Sequence, residues 1–312
     1  MLFYMGSIRL VFMGTPEFAV PSLEVLLANN YEVAAVVTAP DKPQGRGRKV
    51  VASPIKVAAQ AHKLPVLQPT NLKDPAFLEV LQSYRAHLQV VVAFRMLPRV
   101  VWAMPALGTF NLHASLLPAY RGAAPINWAL INGERETGVT TFFLAQAMDT
   151  GHVLFQEKEP IYAQDTAGTL YGRLQRRGAQ LVLKTVRAIA GGRYTATPQA
   201  PTPASSAKKA PKICKEDCRI CWDQEAVGVL NFIRGLSPYP AAWTVFNGKT
   251  YKILAAEKAH QGLPFLGPGA LYVDGKHGVC VGTQSDPVAI KVLQLAGKNP
   301  MEIQAFLRGH RI

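Results

Sequence analysis

The sequence predicts an α/β protein in two parts, a mostly parallel sheet covered on both faces followed by a small β-barrel. Three observations predict it. Short, almost wholly apolar runs alternate with helical patterns over the first 190 residues; a Pro-, Thr- and Ala-rich stretch then breaks the pattern; and about six short β-rich segments crowd into the last third. Strands that are apolar on both faces belong in parallel sheets with helices on each side. Short strands divided by Gly- and Asn-rich turns close into barrels.

The elements follow in order. Ile8–Met13 (IRLVFM) is apolar and β-branched, with Gly14 and Pro16 behind it, and reads as a buried strand. The opening MLFYMGSIRLVFMG has no basic leader, unbroken apolar core or small-residue cleavage site, so it is expected to lead into that strand rather than form a signal peptide. Phe18–Ala28 has helical spacing, Val33–Thr38 is a strand, Pro54–His62 a helix, Pro65–Leu67 a short strand and Pro75–Ser83 a helix. His87–Phe94 is a strand, Arg99–Met104 a helix, Gly108–His113 a strand, and Pro125 starts another helix. Thr140–Leu144 and Val153–Glu157 are later strands. Thr166–Ala190 is a long helix with Arg173, Arg176, Arg177, Lys184 and Arg187 on its wetter side, stopped by Gly191-Gly192. Residues 191–207 lack periodicity and read as a linker between domains 1–190 and 208–312. Val227–Leu236 is a helix, and WTVF, YKILAAEK, GALYVD, GVCVGT and VAIKVLQL supply the barrel strands.

Composition narrows the function. With 49% hydrophobic and 17% charged residues the chain is packed rather than disordered. No run of eighteen apolar residues exists, so no membrane span is expected. The net charge of +14 is shared: residues 1–207 carry 20 basic and 12 acidic side chains, residues 208–312 carry 14 and 8. Two electropositive domains fit a polyanion, nucleic acid or a phosphorylated ligand. Four cysteines without a secretory leader fit reduced thiols and a cytoplasmic home.

The loop VFMGTPEFAV holds only Gly14 of a G-x-G-x-x-G pattern, which argues against dinucleotide binding, although the end of a central strand remains the ordinary ligand position of an open sheet. The stretch NLHASLLPAYRGAAPIN carries more. Side chains alternate along a strand, so Asn111 and His113 project to one face. An amide and an imidazole converging there can hold an oxyanion as a carbonyl becomes tetrahedral. His113 then needs an orienting carboxylate, and Asp149 in QAMDTGHV is the candidate. The alternative is a strand end closed by local hydrogen bonds.

This stretch, with MDTG downstream, resembles the formyltransferases that use 10-formyltetrahydrofolate. VFMGTPEFAVPSLEVL, TAPDKPQGRGRK, SPIKVAA, ETGVTTFF, DTAGTLYGRL and SPYPAAW resemble the methionyl-tRNA formyltransferase family, in order and over nearly the whole chain. The resemblance implies a Rossmann-like catalytic domain and an OB-like, tRNA-binding barrel. It implies 10-formyltetrahydrofolate as co-substrate, initiator methionyl-tRNA as partner and acceptor, no metal, and a monomer. Asn111, His113 and Asp149 would be catalytic. Ser115, Leu116, Leu117 and Pro118 would form the turn against the folate, and backbone around Val92–Leu97 would meet the pterin, where Phe94-Arg95 departs from the Tyr-Gly of many relatives.

In DKPQGRGRK, the Pro/Gly scaffold from Asp41 to Lys49 reads as too flexible to pack. By resemblance Arg46, with Lys42 and Lys49, grips tRNA phosphates. Lys208, Lys209, Lys212 and Lys215, just past the linker, read either as an extension of that track or as a solvated run. Two rival readings stand beside this one. An amino sugar nucleotide formyltransferase would share the catalytic triplet. Cys214, Cys218 and Cys221 (C-x₃-C-x₂-C) have iron–sulfur spacing, against which stand their position after a linker and the short chain beyond them. Cys280 reads as a small buried side chain, and Trp222, Tyr239 and Trp243 as packing between helix and barrel.

Overall fold

The computed structural model describes residues 8–44, 49–200, 208–260, 263, 266–274, 278–310 and 312. The order is β1 (Arg9–Gly14), α1 (Val20–Ala28), β2 (Glu32–Val37), β3 (Lys42–Gln44), β4 (Lys49–Val51), α2 (Pro54–Ala61), β5 (Val66–Leu67), α3 (Pro75–Ser83), β6 (Leu88–Val92), α4 (Arg99–Trp102), β7 (Thr109–His113) and the two-residue β8 (Arg121–Gly122). Then come α5 (Pro125–Ile131), β9 (Glu136–Phe143), β10 (Val153–Pro160), α6 (Ala167–Ala190), the two-residue β11 (Lys209–Ala210), α7 (Ala226–Leu236), β12 (Ala242–Phe246), β13 (Lys249–Lys258), β14 (Leu271–Asp274), β15 (Gly278–Val281), β16 (Val288–Leu295), β17 (Met301–Glu302) and α8 (Ile303–Leu307).

By Cα packing the chain divides into two units, each discontinuous in sequence. Met1–Arg121, Gly138–Glu159 and Tyr171–Lys208 make the first; Gly122–Thr137, Pro160–Leu170 and Lys209–Ile312 make the second.

The first unit is built on a seven-stranded sheet, ordered β10-β9-β7-β6-β1-β2-β5. β5, β2, β1, β6 and β7 run parallel, and β9 lies antiparallel to β7. The apolar runs foretold this: Val11 and Met13 of β1 are fully buried on one face with Phe77 and Leu81 of α3, and Leu10 and Phe12 are fully buried as well. Pro at the first turn and a Ser53 or Asp74 side-chain cap start α2 and α3, satisfying amide groups that would otherwise lack partners.

The second unit curls one antiparallel sheet, ordered β12-β13-β16-β15-β14 with β17 on β16, into a half-barrel. Its core runs from Cys218 and Trp222 through α7 to Tyr251 and Phe306. Helix α5 packs here, against α7: Asn127 donates to the Gly235 carbonyl at 2.7 Å, and a Cβ on Gly235 would sit 2.7 Å from Ile131 Cγ1.

Four elements differ from expectation. The segment after Asp41 is paired at its ends: backbone hydrogen bonding joins Lys42–Gln44 and Lys49–Val51 as antiparallel strands, while residues 45–48 of that segment lie outside the described residues. Asp41 anchors its base through Lys56 at 2.6 Å and Gln68 at 2.7 Å. Strand β9 starts four residues early, and α8 carries no strong sequence signal because it is one turn buried by Phe306. The stretch 191–200, read as linker, is docked: Thr197 and Val153 exchange backbone hydrogen bonds of 2.8 and 2.9 Å. Residues 201–207 of the linker lie outside the described residues.

Candidate functional site

Parallel order places three carboxyl ends side by side. Gly14 of β1 registers with Val92 of β6, and Val92 with Leu112 of β7. The chain departs from β1 toward β2 on one side and β6 on the other, and such a reversal opens a ligand crevice at the strand ends. Gly14 has no room for a side chain: a Cβ would lie 2.6 Å from Ala19 Cβ and 3.0 Å from the Val92 carbonyl. After β6, Ala93 turns left-handed (φ 48°), and Arg95 reaches back to the Thr70 carbonyl at 2.9 Å and to that of Pro69. The departure at Phe94-Arg95 is thereby built into the loop: Arg95 ties the crevice wall to the segment after β5.

Asn111 and His113 leave the same face of β7, two residues apart. Asn111 is half-buried and His113 is buried. Asp149 arrives from the β9–β10 turn with φ 54°, and its Oδ2 lies 3.9 Å from His113 Nδ1. That separation is an ion-pair distance, longer than a hydrogen bond. His113 Nε2 lies 2.8 Å from the Tyr120 carbonyl. A carbonyl only accepts, so Nε2 carries a proton, and Nδ1 is the ring nitrogen that faces the carboxylate. Of the predicted triplet, His113 and Asp149 are brought together, and Asn111 lies two residues from His113 on the same strand face.

The turn after β7 is fixed from inside. Ser115 is fully buried and donates to the Ala119 carbonyl at 2.6 Å. Thr140 donates to the Ser115 carbonyl at 2.6 Å and accepts from the Leu117 amide at 3.1 Å, while Gln156 donates to the Leu117 carbonyl at 2.8 Å. Leu117 is buried; Leu116 and Pro118 are half-buried, the Leu116 side chain lying against Gly138 of β9. Gln156 also donates to the Thr140 hydroxyl at 2.9 Å; neither residue carried a site signal in the sequence, since their contacts to the turn are to backbone atoms.

Among the basic residues, Lys42 is exposed on β3, and Lys208 and Lys209 are exposed. The Lys208 carbonyl accepts from the Tyr120 amide at 2.6 Å. Lys49 lies on β4, and Arg46 falls outside the described residues.

The cysteine motif is dispersed into local contacts. Cys218 points into the second unit's core, its thiol pushed up in pKa first by burial and then by Asp217, whereas Cys214 and Cys221 are exposed. Among the described residues no three His, Cys, Asp or Glu side chains gather as a metal would need. Cys280 is buried, and Trp222 packs as expected and donates to Thr244 at 3.0 Å. Tyr239 does not pack: it is 81% exposed, because Pro238 and Pro240 turn the chain outward around it. Among the described residues no helix is long and apolar enough to cross a membrane.

The formyl transferase family matches residues 8–186, and the formyl transferase C-terminal domain matches residues 212–311. The fold and these matches define a two-domain formyl transferase. The structure of HypX from Aquifex aeolicus in complex with tetrahydrofolic acid shares the fold, with TM-score 0.65 and 20% identity, over 97% of this chain and 47% of that one. So does an N-formyltransferase from Helicobacter canadensis in complex with folinic acid and dTDP-3-aminofucose, with TM-score 0.66 and 20% identity, over 91% and 99%. Sequence similarity is much higher elsewhere: the methionyl-tRNA formyltransferase of Bacteroides fragilis is 49% identical over 312 residues, 98% of this chain and 96% of its own. This chain belongs to the methionyl-tRNA formyltransferase family.

Proposed function

We propose that this chain transfers the formyl group of 10-formyltetrahydrofolate to the α-amine of initiator methionyl-tRNA, giving N-formylmethionyl-tRNA and tetrahydrofolate. The observation that supports this reading is the approach of Asp149 to His113 at the carboxyl end of β7, with Asn111 two residues earlier on the same strand face. The amine attacks the formyl carbon, whose oxygen takes the negative charge. Asn111 and the His113 edge facing Asp149 stabilise that oxyanion. A water beside the 3.9 Å line between Asp149 Oδ2 and His113 Nδ1 can touch both atoms, so Asp149 orients His113 and takes up the amine proton through that water. The carbon–nitrogen bond to the folate then breaks, and the folate nitrogen recovers a proton.

The pterin is assigned to the crevice at the carboxyl ends of β1 and β6, beside the 92–97 segment, where Ala93 turns left-handed. Leu116 and Pro118 of the turn are assigned to the folate, with Ser115 and Leu117 supporting the turn from within. Arg46, Lys42, Lys49, Lys208 and Lys209 take tRNA phosphates, in keeping with the +14 charge.

Transfer of a labelled formyl group from the folate to methionyl-tRNA tests the reading directly. Asn111→Ala and His113→Ala are expected to lose ~10²–10³-fold in turnover and Asp149→Asn a comparable amount, each with folate binding retained. A wild-type protein that formylates an amino sugar nucleotide and leaves methionyl-tRNA untouched sinks it.

A further inference from the structure

We propose that Gln199 is a positioning residue that sets the Asp149 turn against His113; this rests on the formyl transfer reading for its kinetic consequences. The Gln199 amide is saturated. Its Nε2 donates to the backbone carbonyls of Asp149 at 2.8 Å and Gly151 at 2.9 Å. Its Oε1 accepts from Arg121 Nε at 3.0 Å and from Arg121 Nη2. A primary amide offers two donors and two acceptor sites, and all four are used. The neighbours also fix which end is which: a guanidinium only donates and carbonyls only accept, so a reversed amide would lose every bond.

These bonds join the two halves of the candidate site. Arg121 directly follows Tyr120, the residue whose carbonyl holds His113 Nε2 at 2.8 Å. Asp149 and Gly151 are the ends of the turn that carries the carboxylate. Both Tyr120 (φ 59°) and Asp149 (φ 54°) sit in the left-handed region, which side-chain-bearing residues hold only when their surroundings dictate it. Gly151 has no alternative position, since a Cβ there would strike the Phe143 carbonyl. The chain bearing Gln199 is itself pinned two residues earlier, where Thr197 pairs with Val153 at the start of β10. The path from the His113 acceptor through Arg121 and Gln199 to the Asp149 backbone is therefore short and fully bonded. It governs the 3.9 Å separation at which the carboxylate faces the imidazole.

The test uses the full-length protein, wild type and two variants. Gln199→Leu removes all four bonds; Gln199→Glu keeps the Arg121 partner and places a carboxylate, without donors, against two carbonyls. Both are expected to lower kcat about 10–100-fold while KM for folate and for methionyl-tRNA stays within about 3-fold, because misplacement of an orienting group costs the chemical step rather than binding. The double variant Gln199→Leu/Asp149→Asn is expected to be no slower than Asp149→Asn alone, since Gln199 acts only through that turn. Amide hydrogen exchange across residues 147–152 is expected to quicken in Gln199→Leu and to stay unchanged in β1. Unchanged kcat, a loss carried by KM, an additive double variant or unaltered exchange each overturns the assignment. A wild-type protein inert toward methionyl-tRNA overturns the proposed function instead, and the exchange comparison still decides the clamp.

Discussion

Gly14 ends β1 where Ala19 and the Val92 carbonyl leave no space for a Cβ. Gly14→Ala is expected to push apart β1 and the loop after β6, destabilising by about 1–3 kcal/mol and weakening folate binding; thermal denaturation with and without folate measures both. In the sequence Gly14 stood out as one glycine of an incomplete nucleotide motif, and its steric role waited on Ala19 and Val92. Asn111 and His113 were legible because alternation along a strand is a local rule. Asp149 was legible as the carboxylate in a turn, but its approach to His113 belongs to the β9–β10 connection. Gln199 was not legible at all: its donors find backbone carbonyls, which every residue possesses, so no side-chain pattern marks them.

Helix α6 keeps Arg176, Lys184 and Arg187 exposed on its basic side as expected, but part of that side is paired. Its basic side was expected to face water, yet Arg173 donates to buried Glu159 of β10 at 2.8 Å and Arg177 bonds its other oxygen, four residues on along the same helix face. Burial pushes the Glu159 carboxyl up, but the Arg173 and Arg177 bonds outweigh it and hold its pKa below the ordinary glutamate range. A carboxylate with a depressed folded pKa contributes stability that is present above its unfolded pKa and lost as pH falls through the folded one. Glu159→Gln is therefore expected to cost about 2–3 kcal/mol at pH 7, less than the ~3–5 kcal/mol of a fully buried pair because the Arg177 side chain keeps 39% exposure. Urea denaturation across the acid range should show that difference shrinking as Glu159 protonates in the wild type.

The charge belongs to the whole molecule, since an excess of Lys and Arg in both halves, +14 in all, acts as a field rather than a contact. Binding of tRNA is expected to weaken steeply with salt, and Arg46→Ala to reduce the magnitude of the log K against log[salt] slope by about 1. The same variant should raise the KM for methionyl-tRNA and leave folate affinity unchanged; equal losses in both would place Arg46 in the folate site instead. Lys42 and Lys49 stand on paired strands, so the two ends of the basic segment are held together.

The sequence by itself determined the run of strands and helices in the first unit, the parallel pairing that follows from doubly apolar strands, the Asn-x-His pair and the family. The elements and their pairing depend on periodicity and composition, which are properties of neighbours along the chain, and the family on the resemblance of its motifs. The tertiary structure decided the remainder: that α5 packs with α7, that residues 191–200 dock on β10, and that Asp149 faces His113 at 3.9 Å. Such features arise where distant segments exchange backbone hydrogen bonds or fill each other's missing side chains, and folding alone brings those atoms within reach.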